Sequence, residues 1–180
     1  FGIWNGDGTR VAFQSDREGD RGIFWQSADG SGVAERLTKA EAGTAHVPES
    51  WSPASDVLLY SVVKGSSQTL WALAERDKRS TPFAHVSSVN PIESAFSPDG
   101  RWVAYTVSDT VNASGTVFVQ PYPPTGAQYQ APLNVGPLLR RSLFDQKETS
   151  VLTSATLTTD DSFVYVRGRL GLEGARAHKI

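Results

Sequence analysis

Three observations in the sequence predict an all-β protein built from one repeated unit. A tight turn followed by an alternating strand recurs along the chain, as in FSPDGRWVAY at 96–105. Its copies follow large apolar residues at positions 4, 51 and 96, so they are about 45 residues apart. A further aromatic strand follows each copy at a similar distance. Four short strands in about 45 residues are typical of one blade of a β-propeller.

The turn that opens each unit has a defined chemistry. At 97–100, proline presets the φ angle of the second position and glycine occupies the fourth, as a type I turn prefers. The segment 5–8 is a variant of this turn, and 52–55 retains only the proline. A fourth copy at 158–166, preceded by Leu157, retains only acidic character.

Of the four strands in each predicted unit, one precedes the turn and three follow it. The strand after each turn alternates, so that its apolar residues face one side: Val11 and Phe13, Leu58 and Tyr60, Val103 and Tyr105. The next strand contributes the aromatic residues Phe24, Trp71 and Phe118. An outer strand is predicted at 36–38, 81–83 and 131–133. Proline in two of these segments suits an edge strand, where a missing N–H removes no ladder hydrogen bond.

The segments 4–38 and 96–123 resemble the TolB-like, WD-type β-propeller repeats of bacteria, and 49–73 is a more divergent copy. The resemblance covers residues 1–135, which we interpret as three blades. We interpret 136–180 as an atypical connection and a degenerate fourth blade with a C-terminal tail. The resemblance implies a propeller fold and a periplasmic or extracellular location. In relatives such blades bind partners or adjoin peptidase, kinase or DNA-binding domains, so no single activity is implied.

The number of blades raises the question of how the ring is completed. Propellers have about four to eight blades. The alternatives are a small four-bladed ring, a ring completed by a second chain, and a part of a longer chain. We expect the second or third, because an open arc exposes sheet faces and edges. The chain has no Met and begins in mid-pattern at Phe1, which also predicts a piece of a longer protein.

Composition restricts the function classes. The net charge of −2 argues against a nucleic-acid partner. The sequence has no run of about 18 apolar residues, so it does not predict a membrane-spanning segment. Without Cys, the chain has neither a disulfide nor a thiolate metal site nor a thiol nucleophile. The sequence contains no Gly-x-Ser-x-Gly motif and no glycine-rich phosphate loop between a strand and a helix.

Polar residues near the mouth of the predicted channel form the main candidate site. The segments before the inner strands, 42–51 and 87–96, bring four of them together: His46, Glu49, Asn90 and Glu93. A histidine with two carboxylates suits metal binding or acid–base catalysis. The catalytic candidates of an enzyme would therefore be His46, Glu49 and Glu93. No metal-ligand spacing accompanies them, which favours the alternative that they are loop residues or cap the channel.

The charged loop 16–21 is a second candidate for binding, through Asp16 and Arg17. Its carboxylates suit calcium, which takes several oxygen ligands. Because arginines alternate with the carboxylates, we expect a self-neutralised hairpin tip, and we predict no cofactor.

The sequence therefore predicts a binding or scaffold module that presents loops to a protein, peptide or saccharide partner. We expect it to act as a homo-oligomer or as part of a larger chain. The alternative is a hydrolase whose polar residues meet at the channel mouth, since catalytic groups are recognised by geometry and not by sequence order.

Overall fold

The computed structural model describes residues 2–111 and 115–131, together with residues 140, 164 and 167. The chain divides into two compact units, Phe1–Ala131 and Pro132–Ile180. The predicted fourth blade and the connection before it, at 136–166, lie outside the described residues except for Arg140 and Val164. The predicted boundary at residue 135 also lies outside them and stays a prediction.

The described residues of the first unit form twelve strands and contain no helix. The strands make three antiparallel sheets of four, each in chain order. The first sheet contains β1 (Gly2–Trp4), β2 (Arg10–Ser15), β3 (Gly22–Ser27) and β4 (Glu35–Arg36). The second contains β5 (Thr44–Trp51), β6 (Val57–Lys64), β7 (Ser67–Ala74) and β8 (Arg79–Ser88). The third contains β9 (Ala95–Phe96), β10 (Trp102–Val107), β11 (Thr116–Pro121) and β12 (Tyr129–Gln130). The predicted all-β fold of four-stranded blades is confirmed.

The three sheets share one register at their first hairpin. The large apolar residue before each turn pairs with the residue seven positions later: Trp4 with Val11, Trp51 with Leu58, and Phe96 with Val103. In each turn, the backbone oxygen of the first residue accepts a hydrogen bond from the N–H of the fourth: Asn5 from Gly8 at 3.1 Å, Ser52 from Ser55 at 2.8 Å, and Ser97 from Gly100 at 2.9 Å. The repeat seen in the sequence is therefore a repeat of structure.

The second turn departs from the other two at its last position. That position has a left-handed backbone in all three turns, and in the first and third it is glycine. Ser55 takes it with a φ of 59°, which is costly for a residue with a Cβ atom. The Ser55 hydroxyl oxygen accepts a hydrogen bond from the N–H of Gly6 at 2.9 Å, so this serine joins the second turn to the first.

Two apolar clusters hold the sheets together, and the second sheet contributes to both. Between the first and second sheets lie Ala12, Ile23, Leu37, Trp51, Leu58, Tyr60 and Leu73. Between the second and third sheets lie Val57, Leu59, Leu70, Ala72, Phe83, Val86, Ile92, Val103 and Tyr105. The second sheet is thus covered on both faces, as a blade between two neighbours must be.

The inner strand β5 contains one irregularity. Pro48 pairs with Tyr60, and Ser50 pairs with Leu59, so Glu49 is a bulged residue between them. A β-bulge places two residues opposite one and turns the extra side chain in a new direction. The bulge therefore determines where the Glu49 carboxylate points.

Because consecutive strands are antiparallel, successive connections lie alternately at one end of the blades and at the other. The repeated turns at 5–9, 52–56 and 97–101 lie at one end. The connections 16–21, 37–43, 65–66 and 89–94 lie at the opposite end, which we call the loop end.

Candidate functional site

The residues predicted to form the site belong to the loop end or to the inner strand beneath it. Asp16 and Arg17 lie in the connection 16–21, and Asn90 and Glu93 lie in the connection 89–94. His46 and Glu49 lie inside β5. The sequence assigned them to a loop, but the strand begins at Thr44 because its residues pair continuously with β6 as far as the bulge.

His46 is buried, with 8% of its surface exposed, and is held by contacts to the first sheet. Its Nδ1 atom lies 2.8 Å from the hydroxyl oxygen of Thr38. That oxygen accepts a hydrogen bond from the N–H of Ile23 at 3.0 Å, so the Thr38 hydroxyl hydrogen can be donated to an unprotonated Nδ1. The backbone N–H of His46 donates to the carbonyl of Arg21 at 2.9 Å. The histidine therefore joins two sheets.

The electrostatic surroundings of His46 favour its neutral form. Burial lowers the pKa of the imidazole, and the nearby charge of Arg36 lowers it further. The carboxylates of Asp20 and Glu41 act in the opposite direction. The neutral ring matches its hydrogen bond, because only an unprotonated Nδ1 can accept from Thr38.

Glu49 links the second sheet to the third. Its Oε1 atom accepts a hydrogen bond from the Ser61 hydroxyl at 2.5 Å, and its Oε2 atom accepts one from the backbone N–H of Ser94 at 3.0 Å. Burial raises the pKa of this carboxyl, and the charge of Glu93 raises it further, although both hydrogen bonds oppose the shift. Glu49 therefore has a structural partner on each oxygen.

The predicted site residues do not form one cluster, because they connect the second sheet to different neighbouring sheets. The contacts of His46 lead to the first sheet, whereas those of Glu49 lead to the third. Glu93 is exposed and has a φ of 50°. Asn90 donates from its backbone N–H to the Ser88 hydroxyl at 3.2 Å and from Nδ2 to the carbonyl of Thr110 at 3.3 Å.

The charged loop 16–21 is neutralised by a neighbouring strand. Arg36 of β4 forms ion pairs with Asp20 and with Glu18, the latter at 2.6 Å. The hydrogen bond from Arg36 is the main reason that the pKa of Asp20 is lowered. Arg17 instead lies over the rings of Phe13 and Phe24, at 5.3 and 5.1 Å from their centroids. Within the described part of the chain, no three His, Asp or Glu side chains are grouped to hold a metal ion.

A cleft opens at the loop end between the first and second sheets. It has a volume of about 410 Å³ and is lined by 19–21, 41–45, Val63 and Gly65. A parallel bridge between Arg21 and Ala45 joins its two walls. The charged lining residues are Asp20, Arg21 and Glu41, of which Arg21 and Glu41 are exposed. Three of the other lining residues are glycines, which have no side chain to fill the cleft.

Comparison with known proteins identifies the fold. The sequence matches no protein-family model and no curated protein. Among solved structures, TolB from Acinetobacter baumannii aligns over 72% of this chain with a TM-score of 0.60 and 18% identity. The putative TolB from Agrobacterium tumefaciens aligns over 71% with a TM-score of 0.58 and 18% identity. The fold is that of a TolB-like β-propeller. The chain spans 31% of the first structure and 43% of the second.

A similar fold is also present in a protein whose name is that of an enzyme. A prolyl endopeptidase structure aligns over 72% of this chain and 21% of its own, with a TM-score of 0.53 and 16% identity. At these identities the likeness concerns the fold alone. No helix among the described residues is long and apolar enough to cross a membrane.

Several residues of this TolB-like β-propeller were missed by sequence reasoning. Thr38, Ser61 and Ser94 hold His46 and Glu49, but isolated hydroxyl residues resemble any loop or strand residue. Arg21 and Glu41 of the cleft were also missed. The sequence feature that could have indicated the cleft is the glycine at 19, 43 and 65, one in each of three connections at the loop end.

Proposed function

We propose that this chain is a binding and scaffold module that presents its loop end to a protein, peptide or saccharide partner. The observation that carries the proposal is the cleft of about 410 Å³ formed by connections from two adjacent sheets. Ligand sites are usually concave and mostly preformed, with a few polar groups that fix orientation. Arg21 and Glu41 supply such groups here, and the paired sheets supply a rigid floor. The proposed binding requires no cofactor.

The contacts of the predicted catalytic residues support binding over hydrolysis. A general base must reach the proton that it removes, directly or through one water molecule. His46 is buried and engaged with Thr38, and both oxygens of Glu49 are engaged with Ser61 and Ser94. These groups hold the sheets together. The alternative function, a hydrolase, would require a nucleophile and a general base that come within hydrogen-bond distance of each other when a substrate is bound.

The backbone around the cleft favours an extended or polyhydroxylated ligand. Three of its lining residues are glycines and two are alanines, so the main chain is accessible to a ligand. A peptide main chain or a saccharide presents both hydrogen-bond donors and acceptors and can pair with such a surface.

The proposal is tested by selecting peptides from a displayed random library and by screening a glycan array against the immobilised chain. Ligands that bind are measured by calorimetry on two matched variants. Ala42→Trp fills the cleft, and Ala28→Trp places the same ring on an exposed residue at the opposite end. We expect Ala42→Trp to weaken binding at least tenfold and Ala28→Trp to leave it unchanged.

Two outcomes contradict the proposal. The first is equal binding by the wild-type chain and Ala42→Trp, which would place the site elsewhere. The second is turnover of chromogenic esters or glycosides that is lost in His46→Ala, which would establish the hydrolase.

A further inference from the structure

Two side chains of the cleft carry charges that the rest of the described structure does not neutralise. Arg21 and Glu41 are exposed and line the cleft from different connections. Among the described residues, neither side chain takes part in an ion pair or a hydrogen bond. The third charged lining residue differs, because the Asp20 carboxylate pairs with Arg36 and accepts a hydrogen bond from the N–H of Ala40 at 2.7 Å. A ligand in the cleft therefore meets one available cation and one available anion.

The backbone that carries each of these two charges is held by hydrogen bonds. The carbonyl of Arg21 accepts a hydrogen bond from the N–H of His46 at 2.9 Å, and Arg21 forms a parallel bridge with Ala45. The carbonyl of Glu41 accepts two hydrogen bonds from Thr44, one from its N–H at 3.0 Å and one from its hydroxyl at 2.8 Å. The Thr44 hydroxyl is thus donated to a backbone oxygen and not to the Glu41 carboxylate. Groups that are positioned before binding lower the ordering cost that binding must offset.

The opposite signs of the two groups discriminate between classes of ligand. A neutral saccharide would take both charges out of water without giving either an ionic partner, which is unfavourable. An acidic saccharide would pair with Arg21 but would bring a charge of the same sign towards Glu41. A peptide can supply a carboxylate and a cationic group in one molecule. Arginine also binds a carboxylate through two parallel N–H groups, which adds geometric selection.

We propose that the cleft binds a peptide segment that carries a carboxylate for Arg21 and a cationic group for Glu41. This inference rests on the proposed binding function and names the ligand class of that site. The main chain between the two charged groups can approach the protein backbone, because the lining residues are alanine or glycine at 19, 42, 43, 45 and 65. The two charges can come from side chains of an internal segment or from the termini of a short peptide, which blocked termini distinguish.

The test uses synthetic peptides with acetylated and amidated ends, in which glutamate and lysine are joined by glycine spacers of increasing length in both orders. Matched peptides replace the glutamate, the lysine or both with glutamine, and a further set contains only glycine with free termini. Calorimetry measures the affinity of each peptide for the 180-residue chain. We expect the best peptide with both charges to bind about tenfold more tightly than its uncharged counterpart. If the glycine peptides with free termini reproduce this gain, the termini are the source of the charges.

Two protein variants assign each charge to its partner. Arg21→Gln should abolish the gain from the peptide's glutamate, and Glu41→Gln should abolish the gain from its lysine. Matched changes in protein and peptide should therefore be non-additive, whereas crossed changes should add. Lys78→Gln and Asp109→Asn are the controls, since each removes an exposed charge outside the lining of the cleft. We expect both controls to leave the affinity unchanged within about twofold at physiological salt.

The outcomes separate failure of this inference from failure of the proposed function. A ligand that is lost in Ala42→Trp but binds Arg21→Gln and Glu41→Gln as tightly as the wild-type chain overturns the inference and leaves the proposed function standing. The absence of binding by every doubly charged peptide at about 1 mM also overturns the inference. A ligand that binds Ala42→Trp as tightly as the wild-type chain overturns both. Because Arg21 and Glu41 are exposed, the urea midpoints of their variants should match the wild-type value, which checks that both variants are folded.

Discussion

Glu49 of the second sheet accepts a hydrogen bond from the backbone N–H of Ser94, at 3.0 Å, next to the third sheet. This bond satisfies a donor that has left water in the junction between the sheets. It also places a carboxylate where burial disfavours its charge. Removal of the whole side chain and removal of its charge should therefore have different effects.

We predict that Glu49→Ala lowers the free energy of unfolding by about 1–3 kcal/mol, the usual cost of leaving a buried donor unpaired. Glu49→Gln retains an oxygen for the Ser94 N–H and an amide for the Ser61 hydroxyl, so its loss should be smaller. Urea unfolding at pH 7 of the two variants measures the difference. Equal losses would show that the hydrogen bond to Ser94 contributes nothing.

Stability should also depend on pH through Glu49. Its pKa in the folded chain is raised above the ordinary value of 4.5, so folding favours the protonated form. As pH rises from about 4.5 through the raised pKa, the folded chain loses stability relative to Glu49→Gln. Unfolding free energies of both proteins at pH 4 and 7 measure this change. A difference that stays constant with pH would contradict the assignment.

His46 predicts a pH effect of opposite sign. Its pKa in the folded chain lies below the ordinary value of 6.5. Below about pH 6.5 the unfolded chain binds a proton before the folded chain does, so stability decreases as the pH falls through the lowered pKa. His46→Gln should lose this component, since glutamine does not titrate. Thermal unfolding at pH 7.5 and 5.5 would show a larger decrease in the wild-type chain than in the variant, and parallel decreases would refute it.

The close approach of the first two turns predicts a strong effect at Gly6. A Cβ atom added there would lie 2.2 Å from the carbonyl oxygen of Pro53, so the turns would have to separate. We expect Gly6→Ala to lower the free energy of unfolding by about 1–3 kcal/mol, as overpacking does. Gly2→Ala is the control, because its nearest neighbour would be Val11 Cγ1 at an ordinary 3.4 Å. Similar urea midpoints for the two variants would contradict this reading.

The ion pair between Arg10 and Glu75 joins the first and second sheets at the end opposite the loop end. Both side chains are partly exposed, so a double-mutant cycle should give a coupling of only about 0.2–1 kcal/mol. Arg10→Ala should cost more than Glu75→Ala, because the guanidinium also lies 4.9 Å from the Trp25 ring centroid. Urea unfolding at low and high salt separates the two contributions, since only the ion pair is strongly screened. Equal costs would exclude the aromatic contribution.

The repeating part of the fold was predictable because its signals are local. A turn such as 97–100 specifies its own hydrogen bonds through Pro98 and Gly100, and alternation then assigns faces to the strand that follows. The turn at 52–55 retains only the proline, and it was recognised because the apolar residue before it and the strand after it align with the other copies. In the structure Ser55 adopts the left-handed backbone that glycine has in the other two turns.

The candidate site was predictable in its residues but not in its contacts. The sequence placed 42–51 before a strand, whereas Thr44–Trp51 is itself a strand, and 87–96 contains the end of β8, a connection and β9. Their sequences do not reveal that Thr38 would bind His46 or that Ser94 would bind Glu49, because these partners are distant along the chain and chemically common. The bulge also escaped prediction, since any residue of β5 can be the extra one.

The surplus residue in β5 has a consequence for how the chain tolerates change. His46 and Trp51 are separated by an odd number of positions, yet both point towards the same neighbouring blade because Glu49 interrupts the alternation between them. The number of residues between His46 and Trp51 therefore determines which neighbouring blade each of these side chains faces. If one residue between 47 and 50 were deleted, the remaining sequence would still suit a strand. The deletion would nevertheless turn either the His46 imidazole or the Trp51 indole towards the wrong blade.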